Sequence, residues 1–453
     1  MNSNDTIAAI ATPPGEGGVG IIRVSGAGVW KIADKIFTGG ATPSNAAGGT
    51  FLFGKITGTG GEEIDEALCL IFRAPRSYTG EDTVEIQAHG GPVILKKILR
   101  RCLDCGARMA EPGEFTKRAF LNGKLDLVQA EAVADLIHAR SDRAAKAAVE
   151  QLDGGLSRRF NQIYDGLVGV AADIETTLDF VEDELPDDVF LNLGNKIDEC
   201  FAQIEELLAT WDEGRVLREG VRVVIMGRPN AGKSTLFNSL LGHDRAIVTD
   251  IPGTTRDVIE ESVVLNGVPL RVLDTAGLRE TGCLIEQEGI RRARVQSVAA
   301  DIILYLIDSS LPCSNEDSEN LNQLNPARTI VVLNKSDKRN ANFQFPISNF
   351  KTVETSLLRG EGIEKLRDAI QTLTGISSAP ANAVISERHR NLLAAARAEI
   401  EIARERIAAG GEEIAAVAAE HLRTALESLG QITGRVYHNE LLDNIFSRFC
   451  IGK

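Results

Sequence analysis

The chain reads RVVIMGRPNAGKSTLFNSLL over residues 222–241, and this stretch decides the fold of the central part of the molecule. The apolar, β-branched run predicts a strand, and TLFNSLL has the spacing of an amphipathic helix. The glycine-rich residues between them fit a phosphate-binding loop, whose backbone N–H groups close around phosphate oxygens at the helix N-terminus. In such a loop Lys233 neutralises phosphate charge and the Ser234 hydroxyl ligates Mg²⁺. The sequence therefore predicts a P-loop nucleotide site in an α/β domain.

Two further motifs follow in the order that a guanine-nucleotide site requires. LRVL predicts a strand ending in Asp274-Thr275-Ala276-Gly277, where the aspartate can hold the Mg²⁺ shell and the Gly277 N–H can reach a γ-phosphate. TIVVL predicts another strand, followed by Asn334-Lys335-Ser336-Asp337. The Asp337 carboxylate can accept both N1–H and N2–H₂ of guanine, whereas adenine offers no such pair of donors. We therefore expect GTP rather than ATP, with a backbone N–H at Ser356 meeting guanine O6.

The segment TDIPGTTRD, at residues 249–257, lies between the first two motifs and predicts a switch that responds to the nucleotide. The Thr255 hydroxyl suits a Mg²⁺ ion that senses the γ-phosphate. All residues that we expect to contact GTP lie in these motifs or at position 356. They are Asn230, Ala231, Gly232, Lys233, Ser234, Thr235, Thr249, Asp250, Ile251, Pro252, Gly253, Thr254, Thr255, Asp274, Thr275, Ala276, Gly277, Asn334, Lys335, Asp337 and Ser356.

Leu278 occupies the position directly after DTAG, where Ras-type GTPases have a glutamine that orients the attacking water. Another residue must therefore orient the water. Three carboxylates in the following stretch, LRETGCLIEQE, are candidates: Glu280, Glu286 and Glu288. From the residues alone, each is more often a solvated acid than a catalytic group, so the choice among them stays open at this level.

Composition restricts the class of protein. The 453 residues allow about three domains, and 43% hydrophobic with 25% charged residues is typical of a folded chain. A net charge of −15 argues against a broad basic face that binds nucleic acid, so we expect another subunit to make many of the contacts with any RNA. The seven scattered cysteines favour neither a disulfide framework nor a zinc site. Since no apolar run approaches the ~18 residues of a membrane span, we expect a cytoplasmic protein without a membrane segment.

Four compositional segments predict the domain organisation. Residues 1–120 carry β-branched runs (IIRVSG, ALCLIF, DTVEIQAHGG) and one helical run at about 92–103, which is typical of an α+β domain. Residues 121–218 and 378–453 have the periodicity of long amphipathic helices, whereas residues 219–377 alternate strands and helices. We therefore predict a multidomain protein of α/β and α+β type. A Ras-like P-loop GTPase domain is inserted in an α-helical domain, and an α+β domain precedes both.

Several stretches together resemble the MnmE (TrmE) family of tRNA-modification GTPases. These are GRPNAGKS, TDIPGTTRD, DTAGLRET and NKSD, the flanks ATPPGEGGVGIIR and PGEFTKRAFLNGKLDL, and the final residues FCIGK. The resemblance implies a GTP hydrolase that modifies C5 of the wobble uridine of certain tRNAs to carboxymethylaminomethyluridine. It also implies a heterotetramer with the FAD- and NADH-dependent partner MnmG (GidA), through which the tRNA would largely be bound.

The resemblance further implies a homodimer whose GTPase domains pair face to face, with a K⁺ ion at the interface in place of an arginine finger. K⁺ prefers oxygen ligands, which a side-chain amide and backbone carbonyls provide. The implied K⁺ ligands are Asn230, Thr249, Ile251 and Thr254, and the implied Mg²⁺ ligands are Ser234 and Thr255. In this family the water-orienting glutamate falls on Glu286, and Arg279 is implied to stabilise the switch.

The N-terminal domain resembles folate-binding domains, which implies that it dimerises and binds 5-formyl- or 5,10-methylene-tetrahydrofolate. The implied folate contacts are Arg23, Glu85, Lys124 and Lys453. A carboxylate can accept hydrogen bonds from the amide and amino edge of a pterin, and Arg or Lys can pair with the glutamate tail of the folate. The resemblance places Cys450 at the modification centre. From the residues alone, a cysteine in NIFSRFC is more often a buried small hydrophobic residue.

Two other functions fit part of the sequence. A GTPase switch in ribosome assembly would need an appended RNA-binding module with a basic face, such as a KH or OB fold, and none is visible. A P-loop ATPase or transporter subunit conflicts with the guanine-reading carboxylate of Asp337. A tRNA-modifying GTPase is therefore the favoured function, with the ribosomal switch as its alternative.

Overall fold

The computed structural model describes residues 5–179, 187–242, 260–265, 267–273, 300–341, 343–345, 348–375, 384–409 and 412–453. Contacts between Cα atoms divide the chain into two compact units. The first contains Met1–Ala134, Gln151–Cys200 and Ala395–Lys453, and the second contains Asp135–Glu150 and Phe201–Ala394. The second unit extends beyond the α/β segment expected at 219–377, because Ala147, Leu217 and Val384 form one buried cluster within it.

A seven-stranded sheet forms the framework of the first unit, in the order β3-β4-β5-β6-β2-β1-β7. Its strands are β1 (Ile7–Ile10), β2 (Gly20–Ser25), β3 (Phe37–Gly39), β4 (Thr50–Thr57), β5 (Glu63–Phe72), β6 (Thr83–Ala88) and β7 (Arg108–Met109). Neighbouring strands are antiparallel except β1 and β7, which are parallel. The runs IIRVSG, ALCLIF and DTVEIQAHGG supply β2, β5 and β6, so the expectation of strands there is confirmed.

Two helices cover one face of this sheet, α1 (Val29–Ile36) and α2 (Pro92–Asp104). The second coincides with the helical run expected at about 92–103. Their apolar sides form one buried cluster with the strand residues that point toward them, among them Ile22 and Ile86. Because side chains alternate along a strand, Arg23 of β2 and Glu85 of β6 lie on the opposite face.

Twelve further helices complete the described chain. They are α3 (Glu114–Leu121), α4 (Leu127–His138), α5 (Asp142–Leu152), α6 (Gly155–Asp179), α7 (Asp187–Ala209), α8 (Trp211–Glu219), α9 (Lys233–Leu241), α10 (Asn315–Asn322), α11 (Ile363–Thr374), α12 (Glu387–Ala409), α13 (Glu412–Thr433) and α14 (Asn439–Phe446). In the first unit α6 packs against α13, which joins helices from before and after the α/β segment as the sequence predicted. Among the helices described, none is long and apolar enough to cross a bilayer.

The end of the chain packs against the start of the helical region. Phe446 and Phe449 are buried with Phe120 and Leu127 in one cluster. Gly113, which precedes α3, has φ of +67° and lies so close to α14 that a Cβ there would be 2.5 Å from the Phe446 carbonyl oxygen. Only glycine permits this approach, and it holds the C-terminal residues beside α3.

A six-stranded sheet forms the framework of the second unit, in the order β13-β12-β11-β8-β10-β9. Its strands are β8 (Val221–Gly227), β9 (Glu260–Leu265), β10 (Val268–Leu273), β11 (Ile302–Asp308), β12 (Thr329–Asn334) and β13 (Lys351–Glu354). Neighbours are parallel except β9, which is antiparallel to β10. The central strands β11 and β12 are buried along almost their whole length, as parallel strands covered on both faces are. The expected α/β insert is therefore confirmed.

A buried ion network ties α3 to the N-terminal residues of the first unit. The Glu114 side chain is 3% exposed and accepts hydrogen bonds from Arg108 Nη2 at 2.6 Å and Arg118 Nη2 at 3.1 Å. Asp5 also pairs with both arginines. Burial acts to raise the pKa of Glu114, but hydrogen bonds from Arg108, the Glu111 N–H and Arg118 lower it overall. A carboxyl group with a lowered folded-state pKa contributes stability above its unfolded pKa, and that contribution is lost as the pH falls through the folded value.

We expect Glu114→Gln to lower the free energy of unfolding of the first unit by about 3 kcal/mol at neutral pH, because the buried Glu114 loses the charge that pairs with the largely buried Arg118 and with the exposed Arg108. Urea unfolding followed by Trp30 fluorescence in a Trp211→Phe background measures this unit. The wild type should also lose stability faster than the variant as the pH falls below the ordinary glutamate pKa of ~4.3.

The matched control is Glu63→Gln, whose ion pair with Lys55 is exposed and contributes little. Identical midpoints for the wild type and Glu114→Gln would show that the network does not stabilise the fold.

Candidate functional site

The P-loop joins the end of β8 to the start of α9. Gly227 and Gly232 have φ of +139° and +106°, where side chains are rarely tolerated. Asn230 is also left-handed, at φ of +63°, a conformation that asparagine adopts more readily than most residues. Lys233 Nζ donates to the carbonyl oxygens of Gly227 and Arg228, each at 2.8 Å. The loop thus has the backbone of an anion cradle with an ammonium group held across it.

Asn334 ties this loop to the base-binding motif. It ends β12, is 3% exposed, and donates from Nδ2 to the Ala231 carbonyl oxygen at 2.8 Å. Its Oδ1 accepts from the Leu357 N–H at 3.2 Å. A Cβ on Gly232 would lie 2.3 Å from Asn334 Nδ2, so the approach requires glycine. One buried amide therefore fixes the P-loop, the NKSD motif and the loop after β13 relative to one another.

Asp337 is held as a hydrogen-bond acceptor by Ser356. The Ser356 hydroxyl donates to Asp337 Oδ1 at 2.8 Å, and this hydrogen bond is the main cause of a lowered pKa of the carboxyl group. Arg359 Nε lies 3.8 Å from Asp337 Oδ2. A carboxylate that stays charged suits the two adjacent donors of guanine.

The contribution of Ser356 differs from the one expected. Its backbone N–H donates to the Glu361 carbonyl oxygen at 3.0 Å, so it is already engaged and does not face guanine O6. The Glu361 N–H in turn donates to the Ser356 carbonyl oxygen at 3.1 Å. Ser356 therefore acts through its hydroxyl on Asp337. The sequence could not show this, because the pairing depends on how the loop closes.

Asp308 is a site residue that the sequence analysis missed. It ends β11, and it accepts from Lys335 Nζ at 2.6 Å and from the Ser310 hydroxyl at 2.5 Å. Burial acts to raise the pKa of Asp308, but the hydrogen bonds from Lys335 and Ser310 lower it. The available signal was an acidic residue at the carboxyl end of a buried parallel strand, where α/β sheets place ligands.

Several residues expected at the site lie outside the described residues. They are Thr249, Asp250, Ile251, Pro252, Gly253, Thr254, Thr255, Asp274, Thr275, Ala276, Gly277, Arg279 and Glu286. Of the expected metal ligands, the structure describes Ser234, which is exposed in the first turn of α9, and Asn230, which is exposed on the P-loop. Within the described ranges, no three His, Cys, Asp or Glu side chains cluster as a metal site.

A second polar site lies on the face of the seven-stranded sheet opposite α1 and α2. Arg23 of β2 and Glu85 of β6 are direct cross-strand neighbours, and Arg23 Nε donates to Glu85 Oε1 at 2.8 Å. Their side chains are 12% and 16% exposed. The guanidinium carbon lies 5.3 Å from the centre of the Tyr78 ring and 5.5 Å from that of Phe115. A carboxylate and two aromatic rings thus fix the orientation of Arg23.

The last residues of the chain close this second site. Arg23 Nη1 donates to the Gly452 carbonyl oxygen at 3.3 Å. Gly452 has φ of +98°, and a Cβ there would be 2.4 Å from the Ile10 carbonyl oxygen. Lys453 is half-buried, and burial together with the charge of Arg23 lowers its pKa, while Glu85 acts in the opposite direction. The structure therefore brings Arg23, Glu85 and Lys453 near one another.

Cys450 and Lys124 differ in how they relate to this site. Cys450 is exposed, so the alternative of a buried small hydrophobic residue is wrong, and the neighbouring Phe449 fills the core instead. Lys124 Nζ donates to the Pro75 carbonyl oxygen at 3.1 Å, on the loop that carries Tyr78. Its ammonium group is directed to that loop rather than to the Arg23–Glu85 pair.

The second unit has the defining features of one class of protein. β8, β11 and β12 are adjacent parallel strands, and the P-loop, Asp308 and Asn334 lie at their carboxyl ends, where such sheets bind ligands. The charged Asp337 next to this edge can accept hydrogen bonds from the two adjacent donors of guanine, which adenine lacks. The domain is a Ras-like P-loop GTPase domain.

Comparisons with known proteins identify the family. The family model described as the MnmE helical domain matches residues 127–450, and the one described as the N-terminus of the GTP-binding protein TrmE matches residues 6–124. The tRNA modification GTPase MnmE of Geotalea uraniireducens is 44% identical over 464 residues, and that of Geobacter metallireducens is 45% identical over 461 residues, with 100% of each chain covered in both cases. Among solved structures, the G domain of the T. maritima FeoB iron transporter is 26% identical, with a TM-score of 0.25. The match covers 34% of this chain and 98% of the FeoB chain. The chain belongs to the MnmE (TrmE) family of tRNA modification GTPases and is a GTP hydrolase.

We expect Asp337→Asn to weaken GTP binding by roughly 30-fold, because the amide presents a donor where guanine offers donors and a charge-assisted pair of hydrogen bonds is lost. Xanthosine triphosphate carries a carbonyl at C2 and should bind the variant better than GTP does. Displacement of a fluorescent guanine nucleotide measures both affinities.

The matched control is Asp368→Asn, which removes an exposed carboxylate of α11 in the same domain and should leave both affinities unchanged. An Asp337→Asn variant that still prefers GTP would exclude this carboxylate as the base reader.

Proposed function

We propose that this GTPase modifies C5 of the wobble uridine of certain tRNAs to carboxymethylaminomethyluridine, in a heterotetramer with the FAD-dependent enzyme MnmG (GidA). Membership in a family of tRNA modification GTPases supports the substrate class. The observation that carries the proposal is the hydrogen bond from Arg23 of the Arg23–Glu85 pair to the Gly452 carbonyl oxygen. Through it the C-terminal residues complete a second polar site, which belongs to a different compact unit from the GTP site. Absence of a membrane-crossing helix among the described residues is compatible with the cytoplasmic location that we also propose.

The proposed GTP hydrolysis uses Lys233 and the Gly277 N–H to hold the phosphates and Glu286 to orient the water, while Arg279 stabilises the switch. Ser234 and Thr255 would hold Mg²⁺, which neutralises charge on the transferred phosphoryl group. The two described residues of this set, Lys233 and Ser234, support the assignment. Lys233 is fixed across the P-loop, and the exposed Ser234 hydroxyl lies at the N-terminus of α9.

A K⁺ ion held by Asn230, Thr249, Ile251 and Thr254 is the proposed source of the charge that an arginine finger supplies elsewhere. It would be recruited when the GTPase domains of a homodimer meet. Asn230 supports this because its left-handed backbone lies on the exposed surface of the P-loop, where a side-chain oxygen can reach an ion shared with a second subunit. The ion fits the oxygen-rich donor set of this residue and the backbone carbonyls expected beside it.

We expect GTP hydrolysis to be at least about tenfold faster in KCl than in NaCl at equal ionic strength. A bound K⁺ ion would take the place of an arginine finger, and a mobile ion accelerates the reaction less than an arginine finger does. Asn230→Ala should abolish this preference, whereas Asn238→Ala, an exposed asparagine of α9, should retain it. Release of inorganic phosphate measures the rates. Equal rates in the two salts for the wild type would eliminate the K⁺ mechanism.

The second site is proposed to bind 5-formyl- or 5,10-methylene-tetrahydrofolate through Arg23, Glu85 and Lys453. Lys124 is proposed to turn to the folate from the Pro75 carbonyl oxygen that it contacts in this structure. The donor set fits: Glu85 can accept from the amide and amino edge of a pterin, and the cations suit its glutamate tail. The folate, when bound, supplies a one-carbon unit. Tyr78 beside Arg23 adds an aromatic surface for a flat ring. We propose that the N-terminal domain also mediates homodimerisation and that the exposed Cys450 thiol belongs to the modification centre.

The proposed function predicts that tRNA from a deletion strain lacks the carboxymethylaminomethyl group at its wobble uridine, as read by nucleoside mass spectrometry. The wild-type gene should restore it, whereas Gly452→Ala should restore less than about a tenth, because the added Cβ meets the Ile10 carbonyl and the positive φ disfavours alanine.

Ile451→Ala is the matched control, since its side chain is 52% exposed in the same segment and should restore modification fully. Both variants should keep K⁺-dependent GTP hydrolysis. An unchanged nucleoside profile in the deletion strain would reject the tRNA function, and full restoration by Gly452→Ala would reject the role of the C-terminal residues.

A further inference from the structure

Helices α1 and α2 share one exposed layer of the first unit. They contact each other and pack on the same side of the seven-stranded sheet. Residues such as Ile32 of α1 and Ile98 of α2 are buried against the strands. The turn at residues 43–45 packs against part of α1, and the exposed polar side chains of both helices lie outside the core cluster.

This surface has the opposite charge to the whole chain. The two helices carry six basic and two acidic side chains, whereas the chain has a net charge of −15. Five of the basic side chains are exposed, and together they are called the basic helix face: Lys31, Lys35, Lys96, Lys97 and Arg100. The sixth, Arg101, is half-buried and donates to the Thr57 carbonyl oxygen at 3.2 Å.

The lysines of the basic helix face are not neutralised within the described part of the chain. Asp34 accepts from the Ser44 N–H at 2.9 Å, and Asp104 pairs with Arg100 at 3.1 Å. No carboxylate of the described residues pairs with any of the four lysines.

Helix stability does not account for these lysines either. Lys35 lies in the last turn of α1, where a cation is favourable, but Lys96 and Lys97 lie in the middle of α2, where the macrodipole gives no stabilisation. Lys31 and Lys35 are four residues apart on α1, and so are Lys96 and Arg100 on α2. Like charges at this spacing oppose one another, so the arrangement favours an anionic ligand.

We propose that the basic helix face binds the phosphate backbone of the substrate tRNA. Lysines act on phosphates as point charges without reading sequence, which suits a surface that positions an RNA rather than selects a base. An interface with a protein would instead place apolar or aromatic residues at its centre, where lysine is depleted. The inference rests on the proposed tRNA substrate. It also revises the expectation that a partner subunit makes most of the contacts with the RNA, because positive charge is concentrated on the basic helix face although the whole chain is acidic.

The test compares two triple variants of the full chain that remove the same number of lysine charges. Lys31→Gln, Lys96→Gln and Lys97→Gln together remove part of the basic helix face. Lys146→Gln, Lys351→Gln and Lys365→Gln together remove exposed lysines of the second unit. Fluorescence anisotropy of a labelled tRNA transcript, without nucleotide and at several salt concentrations, gives affinity and its salt dependence.

The first triple variant should bind the tRNA roughly tenfold more weakly at ~0.1 M salt, with the slope of log affinity against log salt smaller by about 2 to 3, since each lost phosphate contact releases about one counterion fewer. The second should change affinity less than about twofold. Wild-type affinity and slope in the first variant would overturn the inference. So would intact tRNA binding combined with loss of MnmG binding, which would make this face a protein-docking surface.

Failure of this inference is distinguishable from failure of the proposed function. If the deletion strain loses its wobble modification while the first triple variant binds tRNA normally, only the assignment of the basic helix face is wrong. If the deletion strain keeps the modification, the proposed function itself fails, whatever the binding result.

Discussion

The nucleotide site depends on hydrogen bonds made by one buried amide. Asn334 donates to the Ala231 carbonyl of the P-loop and accepts from the Leu357 N–H of the loop after β13. Leaving either side of a buried amide unpaired costs ~1–3 kcal/mol, so the two loops are held to the same strand end. Gly232 makes this possible because a side chain there would occupy the position of the amide. Phosphate binding and base recognition are thereby coupled through a single side chain.

A comparable constraint organises the first unit. The strands β1 and β2 come from the start of the chain, and Gly452 at its end lies against Ile10 and accepts from Arg23. Because residues from the two ends of the chain meet there, the helical segments before and after the α/β segment must lie in the same unit. The packing of α6 against α13 satisfies this requirement. The GTPase segment is consequently an insertion with both of its connections in helical sequence.

Charge is distributed unevenly over the molecule, and this affects how the net charge should be interpreted. Repulsion between an acidic protein and a polyanion is screened beyond the ~8 Å Debye length at physiological salt. Lysines such as Lys96 and Lys97, which are exposed and lack carboxylate partners among the described residues, therefore determine the local potential of their surface. A net charge alone describes solubility and long-range attraction rather than individual contacts.

The sequence by itself determined the local elements and their chemistry. A strand, a glycine-rich loop and a helix that follow one another along the chain identified the P-loop, and Asp337 after the later buried strand β12 predicted the base reader, since these patterns depend on neighbouring residues. The tertiary structure decided what distant residues do to one another. Arg23 meets Gly452 across 429 positions, Asp308 fixes Lys335, and Glu361 engages the Ser356 N–H that was expected to face guanine. Strand order, loop closure and burial create these contacts, and none of the three is encoded in local spacing.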